Sequence, residues 1–135
     1  YMGGNNLAMN PGDMVKIGQM ILNGGLYEGK HIVSEAWLKA SFKTYTHSNY
    51  NPYDYGYMWW KREIGGYESV FAWGWGGQYI FMFPELESVV VITSFRNIAT
   101  QERNYKEPVF ELVGDYIIPG LLEDTPPVSE VESGE

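Results

Sequence analysis

Three glycines fall within four residues in the segment Ala72-Trp73-Gly74-Trp75-Gly76-Gly77-Gln78, with a tryptophan threaded between them. Glycine lets a backbone approach a ligand closely and adopt conformations closed to residues that carry a side chain. Main-chain N–H groups exposed in this way are candidate oxyanion donors, each able to contribute about 3–4 kcal/mol to acyl transfer. The same pattern also describes a plain glycine turn between two hydrogen-bonded strands, with Trp73 and Trp75 as ordinary core or rim, and the residues alone leave both readings open. A nucleophile to accompany such donors is not found. Ser34, Ser41, Ser69 and Ser94 are followed three positions on by Trp37, Thr44, Ala72 and Asn97, so none begins a Ser-x-x-Lys pair. The sequence also contains no G-x-S-x-G elbow, no H-E-x-x-H and no phosphate-cradling G-x-x-x-x-G-K.

The other reactive side chains are sparse. His31 and His47 have no partner at metal-ligand spacing and read as surface or structural groups. With no cysteine there is no disulfide, thiol nucleophile or zinc-thiolate site. Tyr50, Tyr53 and Tyr55 either line a cleft or pack as an aromatic loop on Trp59 and Trp60. Asp13 reads as a helix-start residue, and Arg96 and Arg103 as rim charges or partners of an anionic group. Of 17 acids against 9 bases, five acids and no base lie in residues 123–135, so the net charge of −8 belongs mainly to the tail. This balance excludes a surface built to neutralise nucleic-acid phosphates. No apolar run reaches the roughly 18 residues that a membrane span needs.

The elements that must hold the glycine segment follow from periodicity. Asn10 caps a helix with Pro11 at its first position, and Met14, Ile17, Gly18, Ile21 and Leu22 form its apolar face before Asn23-Gly24-Gly25 stops it. Residues 26–33 are turn-rich, with room for a small hairpin, and Ser34 caps a short helix bearing Trp37 and Leu38. A loop over residues 45–54 leads to an aromatic strand at 55–61, a Gly65-Gly66 turn and a strand at 67–73. Residues 78–83 are apolar on both faces, which predicts a strand covered on both sides and central in its sheet. Pro84-Glu85-Leu86-Glu87 turns the chain into a valine-rich strand at 88–94. Val109, Leu112, Val113, Tyr116 and Ile117 recur at helical spacing after Pro108, and Pro119-Gly120 is expected to end that helix. The predicted class is α+β: an antiparallel meander with helices packed on it, over residues 1–122, followed by an acidic, mobile tail at 123–135.

Several segments, in order, resemble the serine β-lactamase-related family of class C β-lactamases, penicillin-binding proteins and esterase-like hydrolases. Residues Gly3-Gly4-Asn5-Asn6-Leu7-Ala8-Met9-Asn10-Pro11-Gly12-Asp13-Met14 are similar to the family's G-G-x-x-L-x-M-T-P-x-D-M. The likeness continues in Gly25-Leu26-Tyr27-Glu28-Gly29-Lys30-His31-Ile32-Val33-Ser34 with Trp37, in Tyr55-Gly56-Tyr57-Met58-Trp59-Trp60, and in Gly74-Trp75-Gly76-Gly77-Gln78-Tyr79-Ile80 with Pro84-Glu85-Leu86. It covers residues 1–95 and corresponds to the C-terminal third of the family's αβ-sandwich.

The resemblance implies that the family's Ser-x-x-Lys element and its Tyr-x-Asn or Ser-x-Asn element belong to an N-terminal part of the same domain that precedes Tyr1. It also implies that Ala72-Trp73-Gly74 or Gly74-Trp75-Gly76 stands where relatives carry Lys-Thr-Gly or, in the esterase-like branches, His-x-Gly or Trp-x-Gly. Gly74, Trp75, Gly76, Gly77 and Gln78 are then the oxyanion or third-motif candidates, and Trp73, Trp75 and Tyr55 the substrate-binding candidates. Loss of the motif's lysine shifts the expected substrate from a β-lactam toward another ester, amide or peptide. No metal or organic cofactor is implied, and an extracytoplasmic setting is. Alone, the chain should be inactive. The rival expectation, motivated by 22 aromatic residues, is a non-catalytic module that stacks carbohydrate or other planar ligands.

Overall fold

The run Gln78–Phe83 is apolar on both faces, and the chain folds so that both are covered. The computed structural model describes residues 7–49, 52–94 and 106–123. Helix α1 (Pro11–Leu22) is followed by a two-stranded ribbon of β1 (Leu26–Tyr27) and β2 (Lys30–His31), then by α2 (Glu35–Ser41). Six strands come next: β3 (Thr46–His47), β4 (Asp54–Tyr55), β5 (Trp60–Ile64), β6 (Tyr67–Gly74), β7 (Gln78–Phe83) and β8 (Ser88–Ile92). They form one antiparallel sheet in sequence order, β3-β4-β5-β6-β7-β8, the expected meander. After β8 the described chain resumes with α3 (Lys106–Leu112), a π-helical turn (Val113–Ile117) and α4 (Ile118–Glu123). The architecture is α+β, as predicted, and no helix among the described residues is long and apolar enough to cross a membrane. The acidic stretch past Glu123, Tyr50, Arg96 and Arg103 lie outside the described residues.

Strand alternation sorts the side chains into two cores. On one face the cross-strand row Trp60, Phe71, Phe81 and Val90 joins Tyr79, Phe83 and Tyr53, and α3 with its continuation covers it through Phe110, Val113 and Ile118. On the other, Val70, Met82 and Val89 meet Ile21 of α1 and Leu38 of α2. The caps are those read from sequence: the Asn10 side chain accepts from the Asp13 N–H and that of Ser34 from the Trp37 N–H. Gly18 decides how closely α1 can lie on the sheet, since a Cβ there would sit 2.5 Å from a Val89 methyl.

Two expectations are corrected. The strand expected over 55–61 is interrupted: β4 and β5 are separate, joined by a tight turn over residues 56–59 in which Met58 has φ 69°. Backbone crowding is the reason, because a Cβ on Gly56 would lie 2.2 Å from the Ser41 carbonyl oxygen, so the chain bends where it crosses the end of α2. The last helix also runs through Pro119-Gly120 to Glu123. A proline inside a helix lacks its N–H and crowds the carbonyl four residues back, and the π turn immediately before Pro119 widens the helix at that place. Of the predicted face, Val113 is buried and Val109 and Ile117 pack on the same core, but the helix is rotated so that Phe110 and Ile118 join them while Leu112 and Tyr116 are exposed. Gly114 sets this rotation by packing against the main chain of Gly65 in the β5–β6 turn.

Candidate functional site

β6 is longer than its neighbour, and that difference shapes the candidate site. The β5–β6 ladder runs from Ile64↔Tyr67 to Trp60↔Phe71 and stops, whereas β6 continues through Ala72, Trp73 and Gly74, paired only with β7. The Gly65-Gly66 turn closes a two-residue hairpin, which makes Ile64 and Tyr67 a hydrogen-bonded pair. Alternation along an antiparallel ladder then turns the main-chain N–H and C=O of Tyr67, Ser69, Phe71 and Trp73 toward β5. At Trp73 β5 has already ended, because the chain there is still in the turn at Met58. Trp73 therefore presents its main-chain donor and acceptor to an edge that no strand among the described residues occupies.

The overhang runs directly into the glycine turn. Gly76 and Gly77 have φ of 86° and 87°, in the left-handed region that only glycine adopts freely, and both are buried. Trp75 at the tip is 71% exposed. Gln78 opens β7, and its side-chain Nε2 donates to the Ser94 carbonyl at 2.7 Å, tying the turn to the chain beyond β8.

Beside the overhang lies a half-buried aromatic strip. Tyr55 is 4.5 Å from Trp60, and Trp60 is 6.0 Å from Trp73, between ring centroids. Trp73 in turn stacks on Tyr79 at 8° between planes. Tyr53, almost fully buried, meets Trp60 edge-on and backs the strip.

Charge enters from α3. The Lys106 ammonium stands 3.9 Å from the centre of the Trp73 ring. The next residue, Glu107, receives the Arg62 guanidinium at 3.3 Å on both carboxylate oxygens, and Arg62 also lies 4.4 Å over the Phe110 ring. The Tyr53 hydroxyl donates to the same carboxylate at 3.4 Å. Burial, and secondarily the Glu107 charge, raise the Tyr53 pKa above its ordinary value. Trp73 Nε1 is buried without a hydrogen-bond partner among the described residues.

Of the residues singled out from sequence, Tyr55, Trp73, Gly74, Gly76, Gly77 and Gln78 come together along this edge, while Trp75 stands out into solvent at the turn. His31 is exposed on β2, and His47 is exposed on β3 with its ring bonded to Asp54. Trp60 was expected only as a packing partner of the neighbouring tyrosines, which Tyr53 and Tyr55 do meet, and Arg62, Glu107 and Lys106 were not foreseen. Arg62 carried a signal, since it sits between Trp60 and Ile64 on an otherwise apolar strand face, where a charge implies a partner. Nothing local in Lys106-Glu107 marks them.

Among the described residues, no group of three or more His, Asp or Glu side chains could hold a metal ion. A solvent-open cleft of about 420 Å³ lies at the far end of β7, between Gln19, Asn23, Tyr27, Glu28 and Glu87, and includes none of the strip residues. Compared with known proteins, the chain matches no family model and no curated protein.

Proposed function

We propose that this chain is the C-terminal portion of a β-lactamase-like serine hydrolase that cleaves ester or amide bonds through an acyl-enzyme, and that residues 73–78 form one wall of its active site. The observation that carries the reading is the overhang of β6, which leaves the Trp73 main-chain N–H and C=O facing an edge that no strand among the described residues occupies, next to two left-handed glycines. An acyl group lying along this edge would have its carbonyl oxygen within reach of main-chain N–H donors. A serine of a Ser-x-x-Lys element in the rest of the domain attacks the acyl carbon and gives its proton to the lysine. The carbonyl π electrons move onto the oxygen, where the donors hold them, and return as the alcohol or amine leaves with that proton. Water then releases the acid by the same steps. The Tyr55–Trp60–Trp73 strip supplies a flat apolar surface for the substrate's body.

The test is expression of the complete reading frame that contains residues 1–135 and its reaction with a nitrophenyl ester. A burst of nitrophenol with an acyl adduct on a Ser-x-x-Lys serine is expected, and Gly77→Val should lower kcat about 10²-fold by closing the turn's backbone geometry. The 135-residue chain alone should be inert. Hydrolysis by that chain, abolished by changing one of its own serines, or an intact protein that forms no acyl adduct, would overturn the reading.

A second reading, a non-catalytic module for carbohydrate, is favoured by a different observation. Trp37, Tyr57 and Tyr45 form a three-ring column on the surface, with centroids 5.7 and 4.3 Å apart. Trp37 is 56% exposed, so an indole face remains for a pyranose ring to stack on. Calorimetry against a glycan panel separates the two: saturable binding lost in Trp37→Ala supports the module.

A further inference from the structure

The cleft at the far end of β7 gathers negative charge from three elements, and among the described residues no lysine, arginine or histidine lines it. Its first wall is the end of α1, seated on β8 where Gly18 meets Val89. The C-terminus of a helix carries partial negative charge and favours a cation beside it. The last turn of α1 has no basic residue, and the side-chain amides of Gln19 and Asn23 add carbonyl oxygens that can accept from an ammonium. The second wall is the ribbon of β1 and β2, whose turn carries Glu28, and the third is Glu87, the residue before β8. Both glutamates lie in the left-handed region, at φ of 48° and 46°, where the backbone by itself favours glycine. Neither makes an ion pair among the described residues. Lys16, one turn back along α1, is already bonded to Asp13 at 3.0 Å.

We propose that this cleft binds a small organic ammonium ion carrying an apolar or aromatic body. The ammonium donates to the Glu28 and Glu87 carboxylates and to the amide oxygens of Gln19 and Asn23. Its body rests on Leu26 and Tyr27, each 37% exposed at the side of the cleft. An ammonium offers three donors and no acceptor, which suits walls rich in acceptors. A bare metal ion fits less well, since no group of three or more His, Asp or Glu among the described residues could hold one. A volume of about 420 Å³ instead falls within the range of small-molecule sites. The cleft lies at the opposite end of β7 from the Trp73 wall and shares no residue with it, so the inference goes beyond the hydrolase reading.

The experiment uses the 135-residue chain labelled with 15N, titrated with benzylammonium chloride and with the neutral isostere benzyl alcohol. Benzylammonium should shift the main-chain amides of residues 19–28 and of Glu87 saturably. Glu28→Gln and Glu87→Gln keep the side-chain size, and each should weaken binding about threefold, the pair about tenfold, as exposed charge contacts do. Glu85→Gln removes an exposed acid of the same turn that lies outside the cleft and should leave binding unchanged. Added sodium chloride should weaken it in the unchanged chain. Equal binding of benzyl alcohol, undiminished binding by the double variant, or an equal loss in Glu85→Gln would each overturn the proposal. So would the same saturable shift with calcium chloride, or no saturable shift at all. If a glutamine variant alters the ligand-free spectrum, the isostere, Glu85→Gln and the salt dependence still decide. Amine binding here with no acylation by the intact protein would remove only the hydrolase reading, and acylation without amine binding only this one.

Discussion

Gly18→Ala sets two effects of known sign against each other. In the middle of α1, alanine is favoured over glycine by roughly 1 kcal/mol of helix propensity. Against this, the new Cβ would lie 2.5 and 2.9 Å from the two Val89 methyls and 3.3 Å from an Ile80 methyl. Valine is stiff about χ1, and rotation only exchanges one close methyl for the other. Relief therefore requires α1 to lift off β8, and overpacking of this kind costs roughly 1–3 kcal/mol. The net expectation is a loss of about 1 kcal/mol. Val89→Ala removes both offending methyls, so in that background the propensity gain should reappear and Gly18→Ala should stabilise by about 1 kcal/mol. The sign reversal corresponds to a coupling of about 2 kcal/mol in a double-mutant cycle. Urea midpoints of the four chains measure it, with unchanged m-values confirming that the same surface is exposed on unfolding. Stabilisation by Gly18→Ala in both backgrounds would show that the helix does not bear on Val89, and the packing argument would fall.

The other predictions concern the turn, the charge cluster and the open edge. Gly56→Ala places a Cβ 2.2 Å from the Ser41 carbonyl oxygen and 2.8 Å from that of Lys43, both backbone, and should cost about 3 kcal/mol or more, read as a lowered urea midpoint. Because the folded-state pKa of Tyr53 is raised, the chain should lose stability as pH climbs through the ordinary tyrosine value of 10.0 toward the higher folded one. Tyr53→Phe should flatten that alkaline decline in Tm relative to the unchanged chain, and an identical decline in both would refute it. Arg62→Met should cost about 1 kcal/mol, since both partners are partly exposed and an ion pair there is worth little, the remainder being lost contact with the Phe110 ring. Among the described residues nothing pairs with the outer edge of β8, whose Val89, Val90, Val91 and Ile92 carry no charge, so the isolated chain should sediment faster as its concentration rises. A concentration-independent monomer with a sharp melt would contradict this.

Much of the fold was legible because its signals are local. Asn10-Pro11 and Ser34 announce helix starts through hydrogen bonds made within three residues. Gly65-Gly66 and the glycines after Gly74 announce hairpins through backbone conformations that other residues avoid. The apolar run at 78–83 announced a strand covered on both faces, because such a strand has no polar alternation to keep, although β7 lies one place from the sheet's edge rather than at its centre. The misread elements fail for the complementary reason. The break between β4 and β5 is imposed by Ser41, fifteen residues before Gly56, and the rotation of the last helix by Gly65, nearly fifty residues before Gly114. No window of sequence contains both partners of either contact.

The candidate site divides in the same way. The sequence by itself determined the glycine turn, the aromatic residues around it and the order of strands, since turn geometry and strand alternation are properties of neighbouring residues. The tertiary structure decided that β6 overhangs β5, because ladder length depends on where two distant segments each stop. It also decided that Trp60 bridges Tyr55 and Trp73, and that Lys106 reaches the indole while Glu107 is held by Arg62. Hydrogen bonds and ring contacts act over a few ångströms of space, and chain distance sets no limit on which residues they join.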